Sequence, residues 1–273
     1  TVPVFTVANA ERHDAKLGLA IHTSLEPTTE EQGGLRVEEV RTMRSQSRVQ
    51  NPAVTPLTLG FSYRGEAEPA QISFRLKEPQ VSGVVRLFVV LQEQVVRYHW
   101  WIDYNILYAG VDQLVLQIPA DIAEDLRVEH SQYKEIDKAF EPELPDGQEP
   151  NPDVVHWAIR LLDKQLGSYQ LPLTLDVPNT GLDFDTPVDI AIPELALVDV
   201  FRETGQIAVA KGANLELGTA ETTGLETIDP RELGGKLNRE GVLTAYKYRR
   251  HPVALSMPVS KNQFMEVPKI VVT

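Results

Sequence analysis

The stretch Tyr98-His99-Trp100-Trp101-Ile102-Asp103-Tyr104-Asn105-Ile106-Leu107-Tyr108 decides the fold class. Large apolar side chains recur at Tyr98, Trp100, Ile102, Tyr104, Ile106 and Tyr108, every second position. A pleated strand places such residues on one face, and aromatic and β-branched side chains fill that face well. Ala109-Gly110 then predicts a turn, after which Leu114, Leu116 and Ile118 resume the alternation, so the segment reads as a hairpin. A second hairpin is expected from Trp157, Ile159 and Leu161 through Gly167-Ser168 to Leu171, Leu173, Leu175 and Val177.

These two segments echo each other at an offset of 57, through His99/His156, Trp100/Trp157, Ile102/Ile159, Gly110/Gly167, Gln113/Gln170, Leu114/Leu171 and Leu116/Leu173. Shared descent and convergence of two similar hairpins both explain so short a match.

Working outward, further strands are expected at 4–8, 15–22, 57–63, 70–76, 84–96, 188–198, 206–210, 213–217, 242–248 and 253–259. Helix is scarce. Residues 120–126 and 230–237 suit a turn or two each, the latter with Asp229 as N-cap and Pro230 at the first helical position. The polar stretch 29–50 reads as loop or short helix. The acidic segment 134–153, with Pro142, Pro145, Pro150 and Pro152, reads as a long exposed loop.

A longer repeat frames these elements. Residues 2–41 set on 192–231 at an offset of 190 match at Pro3/Pro193, Arg12/Arg202, Ala20/Ala210, Leu25/Leu215, Glu26/Glu216, Thr29/Thr219, Glu31/Glu221, Gly34/Gly224, Leu35/Leu225 and Arg41/Arg231. Random pairing at ordinary composition gives about two or three identities. After a deletion in the second copy, Leu57-Thr58 meets Leu243-Thr244, Phe61-Ser62-Tyr63-Arg64 meets Tyr246-Lys247-Tyr248-Arg249, and Ile72-Ser73 falls opposite Leu255-Ser256. The expected fold is therefore all-β: tandem antiparallel β-sandwich modules with an internal duplication, at 1–80 (first copy), 81–188 (a central hairpin-rich module) and 189–273 (second copy).

Composition narrows function by exclusion. A net charge of -13 disfavours nucleic acid and anionic membrane surfaces. The absence of cysteine removes disulfides, thiolate zinc sites and cysteine nucleophiles. No apolar run approaches the length of a membrane span, so membrane insertion by this segment is not expected. The first residue is Thr1 and the last four, Ile270 to Thr273, read as strand, which suggests a piece of a longer protein.

Candidate sites are sparse. The six histidines, 13, 22, 99, 130, 156 and 251, show no metal-binding spacing, and neither a nucleophile elbow nor a phosphate loop occurs. No cofactor is expected. Asn179, Asp183, Asp185 and Asp189 offer oxygen ligands at close spacing, the chemistry of a calcium loop, set against the plainer reading of a solvated acidic loop. His99, Trp101, Asp103 and Asn105 share the polar face of the opening strand, and an aromatic ring flanked by polar groups is how sugar platforms are built. Packing at a module junction is the plainer reading and is preferred to a ligand surface. Arg12/Arg202, Glu26/Glu216 and Glu31/Glu221, charged in both copies, suggest ion pairs or turn bonds internal to the module.

The sequence thus points to a non-enzymatic structural or adhesive β-repeat segment of a larger bacterial envelope or exported protein, periplasmic, at the cell surface or secreted. Its partners would be neighbouring modules of the parent chain, with glycans or another protein as further candidates and nucleic acid excluded. The alternative is a carbohydrate-binding module or accessory β-domain of a carbohydrate-active enzyme, and it rests on Trp101. An intracellular scaffold is a third reading.

Overall fold

The structure, a computed structural model, describes residues 1–6, 8–9, 11–41, 57–129, 132–142, 151–184 and 186–262. It is nearly all strand and of sandwich type, as the period-two patterning predicts. The chain divides into two compact units, Thr1–Pro79 with Leu107–Ala109, and Gln80–Ile106 with Gly110–Thr273.

The first unit holds β1 (Asp14–Ala20), β2 (Leu25–Glu31), β3 (Arg36–Val37), β4 (Leu57–Arg64) and β5 (Gln71–Leu76). They form a three-stranded sheet, β1-β4-β3, and a two-stranded ribbon, β2-β5, all antiparallel. Val2, Leu35, Phe61, Tyr63 and Ala70 make its core. Residues 29–31, expected in a loop or helix, belong to β2. The polar sequence conceals a strand because cross-strand pairs replace apolar alternation: Arg75 bonds Glu26 at 3.0 Å and Gln71 bonds Glu31 at 3.0 Å.

The second unit begins with β6 (Gln80–Leu91), β7 (Val95–Pro119), β8 (Arg127–Val128), β9 (Tyr133–Asp137) and β10 (Val154–Pro178). It continues with β11 (Val188–Ile192), β12 (Ala196–Val198), β13 (Arg202–Lys211), β14 (Leu215–Leu217), β15 (Glu221–Thr223), β16 (Glu226–Ile228), β17 (Val242–Tyr248) and β18 (Ala254–Lys261). One nine-stranded sheet runs β16-β17-β13-β6-β7-β10-β8, with β12 beside β7 and β9 beside β10; a second contains β11-β18-β14, with β15 on β18. Trp100, Trp157, Ile102, Ile106, Leu116, Ile118, Ile159, Leu171 and Leu173 are fully buried between elements of this unit. Burying one such side chain contributes on the order of 1.5–3 kcal/mol, which makes this the stronger of the two cores.

The two expected hairpins are instead two long strands. β7 runs through Ala109-Gly110 without reversing, and β10 runs through Gly167. A Cβ on Gly110 would lie 3.2 Å from the Gln165 carbonyl oxygen, so this glycine admits the close approach of β10 rather than a turn. The irregularity is absorbed by register shifts between Arg160 and Gln165 and between Gln165 and Gly167. The echo between the segments then gains a physical meaning. β7 and β10 pair antiparallel, with Trp100 opposite Leu173 and Leu116 opposite Trp157, and likewise Ile102 opposite Leu171 and Leu114 opposite Ile159. The matched residues are the same apolar pairs used at both ends of one ribbon, an approximate local two-fold.

Three smaller expectations also shift. The helix expected at 120–126 is a set of turns closed by Asp125 N–H and Leu126 N–H, both donating to the Ile122 carbonyl. Residues 133–137 form β9 rather than loop, paired to β10 with Arg160 bonded to Glu135 at 2.7 Å. Segment 230–237 gives two 3₁₀ turns, Pro230–Glu232 and Gly235–Leu237, the first closed by the expected Asp229 cap in a capping box with Glu232.

The repeat appears in the ladders. β1 pairs with β4 with Ala15 opposite Tyr63, Leu17 opposite Phe61 and a bulge between Leu19 and Ala20. β13 pairs with β17 with Gly205 opposite Tyr248, Ile207 opposite Tyr246 and a bulge between Val209 and Ala210. β3 meets β4 as β16 meets β17, Arg36 opposite Ser62 and Glu226 opposite Lys247. β2 meets β5 as β14 and β15 meet β18, with Leu25 opposite Leu76, Leu215 opposite Lys261, Glu31 opposite Gln71 and Glu221 opposite Ser256. Gln71 thus corresponds to Ser256 and Ile72 to Met257, two residues beyond the Ile72/Leu255 match read from sequence.

Candidate functional site

His99, Trp101, Asp103 and Asn105 do line one face of β7, but they do not form an open platform. Trp101 is 9% exposed and belongs to a second apolar cluster with Phe88, Ala208, Ala210, Ile228, Leu233, Leu237 and Ala245. Its ring is covered by the Arg239 guanidinium at 5.2 Å and the Lys236 ammonium at 5.3 Å from its centroid, and His99 stacks alongside at 5.9 Å. The burial of Trp101 agrees with the packing reading of this face and not with a sugar platform. The two 3₁₀ turns after β16 lie over Trp101, and nothing in the alternation of β7 reveals a lid supplied from so far along the chain. Asp103 is engaged by Arg86 and by the Gln170 amide. Asn105 is exposed.

His99 also borders a depression of about 390 Å³ lined by Arg97, Asp125, Arg127, Glu129, Thr174, Leu175 and Asp176. Arg97 and Asp176 form an ion pair there at 2.9 Å. Burial lowers the His99 pKa below its usual range, Glu129 opposing, so the ring is neutral at pH 7. No Trp, Tyr or Phe is among the lining residues, so a sugar would find hydrogen-bonding groups but no stacking surface.

The described members of the calcium-loop set make separate contacts. The Asn179 amide donates to the Gln92 carbonyl at 3.0 Å, and its N–H bonds the Gln94 carbonyl. The Asp183 carboxylate accepts its own neighbour's N–H, from Phe184, at 2.7 Å. Asp189 sits on β11 opposite Pro258. Asp185 lies outside the described residues. Among the described residues no group of three or more His, Asp or Glu is placed to hold a metal ion.

The most elaborate polar arrangement was not legible as a motif. Glu194, Glu203, Tyr248 and His251 meet where β13 and β17 adjoin the loop after β11. His251 donates from Nδ1 to Glu194 Oε1 at 2.5 Å and from Nε2 to Glu203 Oε1 at 2.7 Å. The Tyr248 hydroxyl donates to the same Glu203 oxygen at 2.7 Å, and Glu203 Oε2 accepts the Leu197 N–H at 2.8 Å. Glu194 Oε1 accepts the Val253 N–H at 2.9 Å. Glu203 is buried. Burial works against a charged His251, but the hydrogen bonds to Glu203 and Glu194 outweigh it and push the pKa up to about 8. Both ring nitrogens donate, which is the imidazolium form. Burial and the Glu203 carboxylate drive the Tyr248 pKa far above its ordinary value, so its proton stays in place. Chemically the cluster ties Leu197 and Val253 to the end of the β13–β17 ladder.

The positions charged in both copies behave differently in each. Arg12 pairs with Asp14 at 2.7 Å, and Glu26 pairs with Arg75, whereas Ser260 and Ser256 face Glu216 and Glu221.

No family model matches the chain, and no curated protein matches it. Among solved structures it is similar to an M1 zinc metallopeptidase from Deinococcus radiodurans, with 11% identity and a TM-score of 0.33 over 67% of this chain and 43% of that one. A putative protease from Parabacteroides distasonis gives 11% identity and a TM-score of 0.25 over 69% of this chain and 37% of that one. The chain thus spans less than half the length of either, and likeness at this level carries no argument about function.

Proposed function

We propose that this chain is a non-enzymatic structural or adhesive β-repeat segment of a larger bacterial envelope or exported protein, with neighbouring modules of that protein as its partners. The observation that carries the reading is the recurrence of one strand ladder, register for register, in two stretches of the chain. Repeated modules whose polar groups serve their own backbone are the material of spacers and adhesive stalks. The acidic charge and lack of cysteine suit a periplasmic, cell-surface or secreted setting. Among the described residues no helix is long and apolar enough to cross a membrane.

The carbohydrate-binding alternative is weakened by the burial of Trp101 and by the lack of an aromatic ring in the depression beside His99. A screen of the purified chain against glycosidase, esterase and peptidase substrates, together with a glycan panel read by tryptophan fluorescence, tests both readings. The expected result is no turnover and no fluorescence change. Turnover abolished by replacing a single carboxylate, in a variant with an unchanged circular dichroism spectrum, would establish an enzyme instead.

A further inference from the structure

We infer that the first copy carries an open docking surface, the outer edge of β1 with the apolar positions beside it, for a strand of the β6 kind presented by another module. The inference deepens the modular reading by naming the partner, and it rests on that reading.

The second copy shows what such a surface does when occupied. β13 is bonded on one side to β17 and on the other, in parallel, to β6, from Arg202 opposite Ser82 to Lys211 opposite Leu91. β12 adds a short antiparallel pairing to β7. Under this cover Leu195 is 4%, Ile207 5%, Val209 0% and Leu215 1% exposed. Ala208 and Ala210, on the other face, are buried against the cluster that holds Phe88 and Trp101.

The first copy has the same ladder without the neighbour. β1 is the terminal strand of its sheet, so one row of its backbone N–H and C=O groups meets no strand among the described residues. The ladder equivalents of those buried residues are uncovered. Phe5, in the place of Leu195, is 62% exposed. Leu17, Leu19 and Leu25 are only half-buried. Gly18 and Ala20 are exposed and small, where Ala208 and Ala210 accommodate Phe88 and Trp101. An edge that meets no strand among the described residues, with Phe5 and the small Gly18 and Ala20 exposed beside half-buried leucines, marks an interaction surface rather than scattered surface residues.

The second copy also fixes the occupant. An intact second chain does not offer its β6, because β13 already covers that edge. The partner is a module with the arrangement of residues 80–119 and an uncovered β6-type strand. Gln206 faces Arg86 in the occupied case, whereas the first copy has Lys16 at that point, so the partner strand carries a neutral or acidic residue there.

The test fuses a copy of residues 80–190 ahead of Thr1, with and without Lys16→Gln, reproducing the spacing that precedes the second copy. The chain has no cysteine, so Ala20→Cys, in the place of the Ala210 that packs with Phe88 of β6, gives a single thiol probe. In the fused chain its labelling should slow at least tenfold and the β1 amides should exchange more slowly, with Leu162→Cys, 58% exposed before substitution, as an unaffected control. Unchanged labelling with the added module folded would overturn the proposal. So would a concentration-dependent dimer of the unfused chain that protects β1, since it would assign the edge to a second copy. A reciprocal chain, with residues 1–77 replacing 191–262, removes dependence on the added module. It should fold with Ala20→Cys protected, and failure to fold counts against the proposal. The substrate and glycan screen is independent of these outcomes, so the two readings fail separately.

Discussion

The two ladders, β1-β4-β3 and β13-β17-β16, have the same pairings and the same bulge, yet one is buried and the other is not. Val209 is fully buried where Leu19 is half-exposed, although Leu is no less apolar than Val. Burial here is set by the neighbour, β6, rather than by the ladder's own sequence. The polar groups at the ladder end differ as well. Glu203 stands where the first copy has His13, His251 where it has Glu66, and Glu194 where it has Val4. Tyr63 and Tyr248 are equivalent, but Tyr63 exchanges hydrogen bonds with the Phe5 backbone at 2.6–2.8 Å and takes His13 against its ring edge, while Tyr248 bonds a buried carboxylate. A ladder end enclosed by neighbours needs its charges paired, whereas an open one has water as a partner.

The largest expected break in this parallel is Glu203→Ala. It strips partners from Tyr248, His251 and the Leu197 N–H at once, and loss of one member of a buried charged network costs about 3–5 kcal/mol. The equivalent His13→Ala should cost well under about 1 kcal/mol. Urea unfolding followed by tryptophan fluorescence reports on the first change, because Trp100, Trp101 and Trp157 all lie in the second unit. Equal effects at the two positions would dissolve the distinction between them.

Next comes the residue under the tyrosine. A Cβ on Gly205 would fall 2.2 Å from the Tyr248 ring, which Glu203 holds in place, so Gly205→Ala should cost about 1–3 kcal/mol. The first copy already has Ala15 opposite Tyr63, whose hydroxyl bonds the nearby Phe5 backbone rather than a buried carboxylate. Ala15→Gly should cost no more than about 1 kcal/mol, from chain entropy alone. Thermal melts of both variants check the asymmetry.

A smaller effect concerns pH. His251 has a folded pKa of about 8 against an ordinary 6.5, so its contribution is complete below pH 6.5 and is lost as pH rises through 8. For a half-buried ring facing Glu194, Glu203 and Tyr248, that contribution is on the order of 1 kcal/mol after solvent screening. Unfolding midpoints from pH 6 to 9 should fall in the parent chain and stay level in His251→Gln. The smallest effect is Arg75→Ser, which gives the first copy the serine found at Ser260. The Arg75–Glu26 pair is exposed, so denaturant melts should move by under about 0.5 kcal/mol.

Sequence patterning revealed the strand class and the core face of β7, because period-two alternation is a local signal, and the gap-free offset pointed to the two stretches whose ladders pair alike. It misread Ala109-Gly110 as a turn, since a glycine that admits a neighbouring backbone resembles one that bends the chain. Packing of Trp101 was the preferred reading of its face, but what covers it was out of reach: Lys236 and Arg239 come from far along the chain. The Glu194–Glu203–His251 cluster is spread over three segments with no fixed spacing. Its one trace in the sequence is negative, a set of charged residues at which the second copy departs from the first.

Residue-resolved amide hydrogen exchange of the chain, comparing β1 with β13, tests most directly whether the neighbour makes the difference between the copies. Bonded on both sides, Arg202–Lys211 should exchange slowly at successive residues, whereas in Asp14–Ala20 slow exchange should be confined to the alternate amides that face β4. Uniform protection of β1 equal to that of β13, or fast exchange at the β13 amides that face β6, would contradict it.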